Sequence, residues 1–431
     1  MTMKKLLTAI VALLAAHSAL AGVKIEHWVS PAGARVFFVE SRALPILDVQ
    51  VDFAAGSMFD PPGKSGTAGL TRSVLGLGAG KLDETAIAEQ MADIGATLGG
   101  GADTDRASVA MRTLATAEKR DAALAVLRTV VQAPRFEAAI FEREKARTIA
   151  GLKEAMTRPD SIAGKAFWAA MYPDHPYGRS ATPESVAVLT RDDLAAHHAT
   201  YYTAANASIT LVGDINRGEA EKIAEAIAAG LPKGAPATLP PAPRVAPGKA
   251  VQLAHPASQA HIHIGMPAIE RGNADFFPLI VGNYTLGGGG FVSRLMKEVR
   301  DKRGYAYSVS SYFNPLRQAG PFQIGLQTKR AQAKDAIALS RDVLDGFLKD
   351  GPSMEELAAA KANLTGSFPL RLDSNRKILD NVAVIGFYGL PLDYLDHYQQ
   401  KVQAVTVDDV KRAFSRHVRP ADLMTVTVAA D

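Results

Sequence analysis

Apolar and polar positions alternate over residues 34–40 and 47–55, the period of a strand that lays one face on a core. The spacing then lengthens to that of a helix over 67–77 and 84–94, returns to alternation over 106–113, and becomes helical again over 117–132 and 136–156. A similar order recurs later in the chain. Residues 261–266 read as a strand and 275–286 and 290–300 as helices; 305–313 and 320–328 alternate as a hairpin, and two long helices follow. Strands mixed with helix pairs, without a strict βαβα rhythm, predict an α+β fold in which helices cover mainly antiparallel sheets.

Residues 230–249 (GLPKGAPATLPPAPRVAPGK) break this pattern with six prolines and no hydrophobic period. Such a segment reads as a semi-rigid linker between residues 22–229 and 250–431. The two sides resemble each other. Asp121 and Asp335 are 214 residues apart, Lys145 and Lys361 216 apart, and Gly151 and Gly366 215 apart, within helix pairs of the same phase. One long offset means an internal duplication, because a solenoid would repeat every 20–50 residues.

Composition adds modest constraints. Of 431 residues 47% are hydrophobic and 21% charged, which are globular values. Lys4 and Lys5 precede an apolar run over 6–16, and Ala19-Leu20-Ala21 fits a small-x-small cleavage site. Residues 1–21 are therefore expected to be a secretory signal peptide cut after Ala21, and an export route without cysteine fits a Gram-negative periplasm. No later run is long enough for a membrane span. Net charge is +4, with no clustered basic face of the kind nucleic acid requires.

The segment 56–73 (GSMFDPPGKSGTAGLTRS) resembles the approach to the inverted zinc motif, H-x-x-E-H, of the pitrilysin/insulinase peptidases. His175-Pro176-Tyr177-Gly178, the stretch LTRDDLAAHHATYYTAANASITLVGDI at 189–215, LGGGGFVSRL at 286–295, EVRDKRGYAYSV at 298–309, GLPLDY at 389–394 and AVTVDDVKRAF at 404–414 extend the resemblance over nearly the whole mature chain. It implies two homologous α+β domains forming half of a clamshell chamber, with short members working as dimers. In some such pairs one subunit supplies the zinc and the other holds the substrate.

Where the resemblance places histidine, glutamate and histidine, this chain has Gly69, Arg72 and Ser73, and the third ligand would fall near Ala150 or Gly151. None of these residues forms a zinc site, and the nearest carboxylates, Glu144 and Glu154, are several residues away in the helix. The resemblance thus implies a subunit with no metal of its own, paired with a homologous H-x-x-E-H chain that carries the zinc. The substrate-holding arginine and tyrosine of the family, seven residues apart, match Arg300 and Tyr307. A guanidinium and a phenol converging on a peptide carbonyl would orient it and stabilise its oxyanion in trans. Gly287, Gly288, Gly289 and Gly290 lack the Gly-Lys-Ser/Thr of a phosphate loop and are expected to form a flexible turn open to a peptide backbone. His261 and His263 alternate on one strand face without a third ligand, so they read as sheet-face histidines; His197 and His198 are expected on a helix surface. The competing function is a catalytically inactive homodimeric scaffold or peptide-binding protein of the same fold.

Overall fold

The alternating segments form two sheets of matching design. The computed structural model describes residues 23–429, so the expected signal peptide lies outside the described residues. In the first half, β1 (Glu26–Val29), β2 (Arg35–Glu40), β3 (Ile46–Phe53), β6 (Thr97–Gly99), β7 (Ala107–Leu114) and β8 (Ala207–Gly213) join in the order β1-β2-β8-β3-β7-β6; β4 (Gly78–Ala79) and β5 (Leu82–Asp83) make a separate small hairpin. In the second half, β9 (Ala250–Ala254), β10 (Gln259–Ile269), β11 (Ala306–Phe313), β12 (Gly320–Lys329) and β13 (Met424–Ala429) join in the order β11-β12-β10-β13-β9. Each sheet has one parallel pair, β2 with β8 and β13 with β9, and is otherwise antiparallel. The series β2, β8, β3, β7, β6 maps onto β9, β13, β10, β12, β11, leaving β1 as an addition to the first sheet.

The helices of the first half are α1 (Thr67–Val74), α2 (Glu84–Asp93), α3 (Ala117–Gln132), α4 (Ala138–Ala155), α5 (Pro159–Met171), α6 (Pro183–Ala187), α7 (Arg191–Tyr201) and α8 (Arg217–Ala228). Those of the second are α9 (Phe276–Asn283), α10 (Ala333–Asp350), α11 (Met354–Gly366), α12 (Asn375–Tyr388), α13 (Tyr394–Ala404) and α14 (Val407–His417). Their starts are written locally. Reciprocal side-chain and backbone bonds of the capping-box type pair Thr190 with Asp193 before α7, Asn216 with Glu219 before α8, Ser353 with Glu356 before α11, and Thr406 with Asp409 before α14. The duplication reaches single bonds. Lys145 on α4 donates to the Leu189 carbonyl and Lys361 on α11 to the Gln403 carbonyl, each at 2.8 Å and each just before a capped helix.

One face of β3 (Leu47, Val49, Val51, Phe53) belongs to the first core, with Leu70 and Val74 of α1, Leu124 and Leu127 of α3, and Leu194 of α7. The opposite face carries Asp48, Gln50 and Asp52, beside Ser208 and Thr210 of β8, and is buried too. It is covered by a helix from the other half: Leu379 and Val382 of α12 pack on Phe37, Val39 and Val212. The exchange is reciprocal. Phe167 and Met171 of α5 pack with Met424 and Val426 of the second sheet, and Phe167 stacks on His263 at 5.3 Å. Since α5 and α12 are duplicates at the common offset, each half gives its third long helix to the other half's sheet. Burying an aliphatic or aromatic side chain contributes about 1.5–3 kcal/mol, so these contacts are a large part of the cohesion between halves.

A buried polar knot joins the same surfaces. The Asp105 carboxylate accepts from Tyr177 Oη at 2.7 Å, Tyr388 Oη at 2.8 Å and the Arg317 backbone N–H at 2.8 Å. Tyr172 Oη donates to the Ala319 carbonyl at 2.9 Å. The proline-rich segment 230–249 carries no helix or strand, yet it is tied down where the Ala237 N–H meets Asn206 Oδ1 at 3.1 Å and the Gly248 N–H meets the Ala421 carbonyl at 2.9 Å.

Three local expectations change. Residues 275–286 do not stay α-helical: α9 ends at Asn283 and Tyr284–Gly288 winds on as a wider π-turn. Residues 290–300 are not one helix but a short 3-10 turn, Gly290–Val292, followed by the π-type segment Met296–Lys302. His197 and His198 are buried rather than on a surface: His197 Nε2 lies 3.2 Å from the Ala55 carbonyl, His198 Nε2 lies 2.9 Å from the Val131 carbonyl, and His198 stacks on Tyr202.

Candidate functional site

The degenerate motif lies on α1, which begins at Gly66 with φ +107°. Asp60 sets that start: its carboxylate accepts from the Gly66 and Ala68 N–H groups, each at 2.7 Å, and burial pushes its pKa up to about 6. Gly69 and Ser73 lie four apart on the exposed side of α1, as two ligands would, but neither brings a zinc-binding side chain. Arg72 is turned to another task. Its Nε donates to the Ser108 carbonyl and its Nη2 to the Gly99 carbonyl, lashing α1 to β7 and β6.

The third-ligand position is equally unsuited. Ala150 and Gly151 are exposed on α4, which packs beside α1. The nearby Glu144 is buried and occupied by Arg143 at 2.9 Å and Arg147 at 3.8 Å. Among the described residues no group of three or more His, Cys, Asp or Glu side chains is placed to hold a metal ion. The residues at the motif therefore do not fit a zinc site.

The second-half pair is brought together. Arg300 sits in the last turn of Met296–Lys302, and Gly304 at φ +64° lets the chain reverse into β11. The Arg300 guanidinium carbon lies 5.7 Å from the Tyr307 ring centroid and 5.0 Å from that of Phe291, within cation–π reach of both. Asp301 Oδ1 accepts from Arg300 Nη1 at 2.9 Å. Tyr307 is 85% exposed and Phe291 67% exposed, so the group is open to a ligand. The Tyr307 hydroxyl has no hydrogen-bond partner among the described residues.

Two features of this group escape sequence reasoning. Phe291 closes the other side of Arg300, although only its place after the glycine run hinted at it. The β11–β12 pairing also slips between Ala306, opposite Thr328, and Val309, opposite Leu326. Three steps on β11 answer two on β12, so Tyr307 lies in a bulge on an edge strand, where a side chain can be re-aimed.

The glycine run is wound rather than loose. A Cβ on Gly287 would come within 2.5 Å of Ser311 N and Oγ, one on Gly288 within 2.6 Å of Asn283 Nδ2, and one on Gly289 within 2.6 Å of the Tyr284 carbonyl oxygen. These three are demanded by close packing, and the expected flexible turn is replaced by a compact one. Gly290, at φ +62° with open space about its Cβ, keeps a free approach. His263 is a sheet-face histidine: Gln323 Nε2 lies 2.7 Å from its Nδ1, and burial lowers its pKa to about 4.

Comparison with known proteins bears on this arrangement. A sequence model described as "Insulinase (Peptidase family M16)" matches residues 35–183, and one described as "Peptidase M16 inactive domain" matches 189–364. The chain is 26% identical to a Helicobacter pylori protein named a non-peptidase homolog, over 99% of both chains. It is similar to the crystal structure of a peptidase M16 inactive domain from Pseudomonas fluorescens, at 36% identity and TM-score 0.91, covering 95% of this chain and 98% of that one. A solved protease from Helicobacter pylori shares the fold at 20% identity and TM-score 0.84, covering 94% and 99%.

Proposed function

This chain belongs to peptidase family M16, and from that premise we propose that it is the substrate-holding, non-zinc subunit of a periplasmic heterodimeric metallopeptidase acting on peptides or unfolded polypeptides. The observation that carries the reading is a contrast between the two halves. Gly69, Arg72 and Ser73 hold no ligand set, with Arg72 bonded to strand carbonyls, whereas Arg300 and Tyr307 stand together and open to solvent. A homologous H-x-x-E-H chain would supply the zinc that activates water. In this chain Arg300 and the Tyr307 hydroxyl would donate to the scissile carbonyl, hold it in line, and stabilise the charge that grows on its oxygen. Gly290 would leave room for the peptide backbone to approach.

The test is turnover of the complex assembled with a co-expressed H-x-x-E-H homologue. Arg300→Ala and Tyr307→Phe are each expected to lower turnover by roughly 10²–10³-fold, the scale of one lost oxyanion donor, with assembly and zinc content unchanged. Wild-type turnover in both variants would reduce the pair to surface residues and leave the inactive scaffold as the better reading.

A further inference from the structure

The sequence motif Gly389-Leu390-Pro391-Leu392-Asp393-Tyr394 is not used by the site described above. Leu390, Pro391 and Tyr394 instead form one wall of a surface cavity of about 440 Å³, completed by Phe276, Phe277 and Pro278 at the start of α9. That volume suits a small ligand or one large side chain with its backbone terminus. The floor is aromatic: the Phe277 and Tyr394 ring centroids are 5.8 Å apart.

Two cations line this apolar cavity, and neither has a carboxylate partner among the described residues. Arg271 Nε is buried with no hydrogen-bond acceptor, and the guanidinium carbon lies 5.2 Å from the Tyr388 ring centroid. Lys401 Nζ lies 5.5 Å from the Phe277 ring centroid. The one lining carboxylate is engaged elsewhere: Asp409 accepts from the Thr406 N–H and hydroxyl and from Arg412. Asn273, also on the lining, donates to Glu270. The Arg271 Nη groups and Lys401 Nζ, which have no acceptor among the described residues, are free to make charge-assisted bonds to an arriving anion.

We infer that this cavity binds a carboxylate carried on an apolar body, with the apolar group on the Phe277–Tyr394 floor and the carboxylate meeting Arg271 and Lys401. The chemistry is shared by two sources, the free C-terminus of a peptide ending in an apolar residue and a free aliphatic or aromatic acid. None of the lining residues belongs to the Arg300–Tyr307 group. The inference can therefore fail while the in-trans reading stands, and the reverse.

Calorimetric titration of the full mature chain, without partner, tests it with three probes: acetyl-Ala-Ala-Phe as the acid, the same tripeptide as its C-terminal amide, and 3-phenylpropanoate. The acid should bind, and the amide at least about tenfold more weakly, because it has no negative charge to pair with the two cations and one acceptor oxygen in place of two. Arg271→Gln and Lys401→Gln should each weaken binding of the acid about tenfold or more. Ala404→Trp, at an exposed lining position away from both cations, should block it by filling the cavity, which keeps the test sound if Arg271→Gln melts early. Tripeptide binding at least about tenfold tighter than phenylpropanoate identifies a peptide end, and equal binding identifies a free acid; both support the pocket. Equal affinity for acid and amide, unchanged affinity in all three variants, or no binding of either acid overturns it.

Discussion

Arg72 shows how one side chain can both remove a metal site and take up structural work. It stands where a metallopeptidase of this family has its glutamate, and it spends its N–H groups on the Ser108 and Gly99 carbonyls. Restoring the acid by Arg72→Glu is expected to give no zinc affinity, since Gly69 and Ser73 remain, and to destabilise the fold by about 1–3 kcal/mol through the lost donors. A melting temperature equal to wild type would show the tie to be idle. His197 makes a second prediction at this scale. Burial holds its pKa at about 4, below the ordinary value of 6.5. Its neutral form therefore contributes stability above about pH 6.5, and that contribution is lost as pH falls towards 4, by ~3 kcal/mol in all. Asp52 and Asp60, raised to about 6 by burial, act in the opposite sense and favour the fold as pH falls through the same window. Urea unfolding of His197→Gln should thus show a lower stability at pH 7 but a shallower decline to pH 4.5. Parallel declines in the two proteins would rule out His197 as the source.

Among the elements, the exchanged helices are the most exposed to a single change. Gly386 on α12 faces Phe37 of β2, and a Cβ there would lie 2.5 Å from the ring. Gly386→Leu is expected to cost about 1–3 kcal/mol, the usual penalty of overpacking, while Gly346→Ala on α10, with open space about it, should leave stability unchanged or raise it. Denaturant midpoints of the two variants measure this, and equal midpoints would mean that α12 docks loosely. The strands β2, β3 and β7 and the helices α3 and α4 were legible because each signals itself locally, by its period. The docking of α5 and α12 was not, because the surface each one covers comes from the other half, and Asp48, Gln50 and Asp52 read as a solvent face until that cover is in place. Phe136 likewise fits the helical pattern, but adopts φ +47° and delays α4 to Ala138. At the candidate site the Arg300–Tyr307 spacing was visible in sequence. The bulge that re-aims Tyr307 depends on pairing with β12, so nothing within the segment announced it. His197 and His198 differ for a related reason: with Leu194 they form the one buried face of α7, at i, i+3 and i+4, and the polarity of the imidazole hides that face until the Ala55 and Val131 carbonyls are in place beside them.

For the molecule as a whole, two sheets that each borrow a helix are expected to lose structure together. Scanning calorimetry of the mature chain should give one cooperative transition, and two separated peaks would show independent domains. With an H-x-x-E-H homologue the chain is expected to bury about 2,000 Å² or more, the scale of a lasting subunit contact, and to co-elute with it at micromolar concentration. Persistent elution as a lone chain in the presence of every such homologue would count against a heterodimer. The crossed helices also change what residues 230–249 are for. Because α5 and α12 already clasp the halves, and Asp105 ties Tyr177 to Tyr388 between them, the peptide bonds of the connecting segment add little to cohesion. A protease that nicks the chain there would produce two fragments on a denaturing gel and a single undissociated particle in native solution.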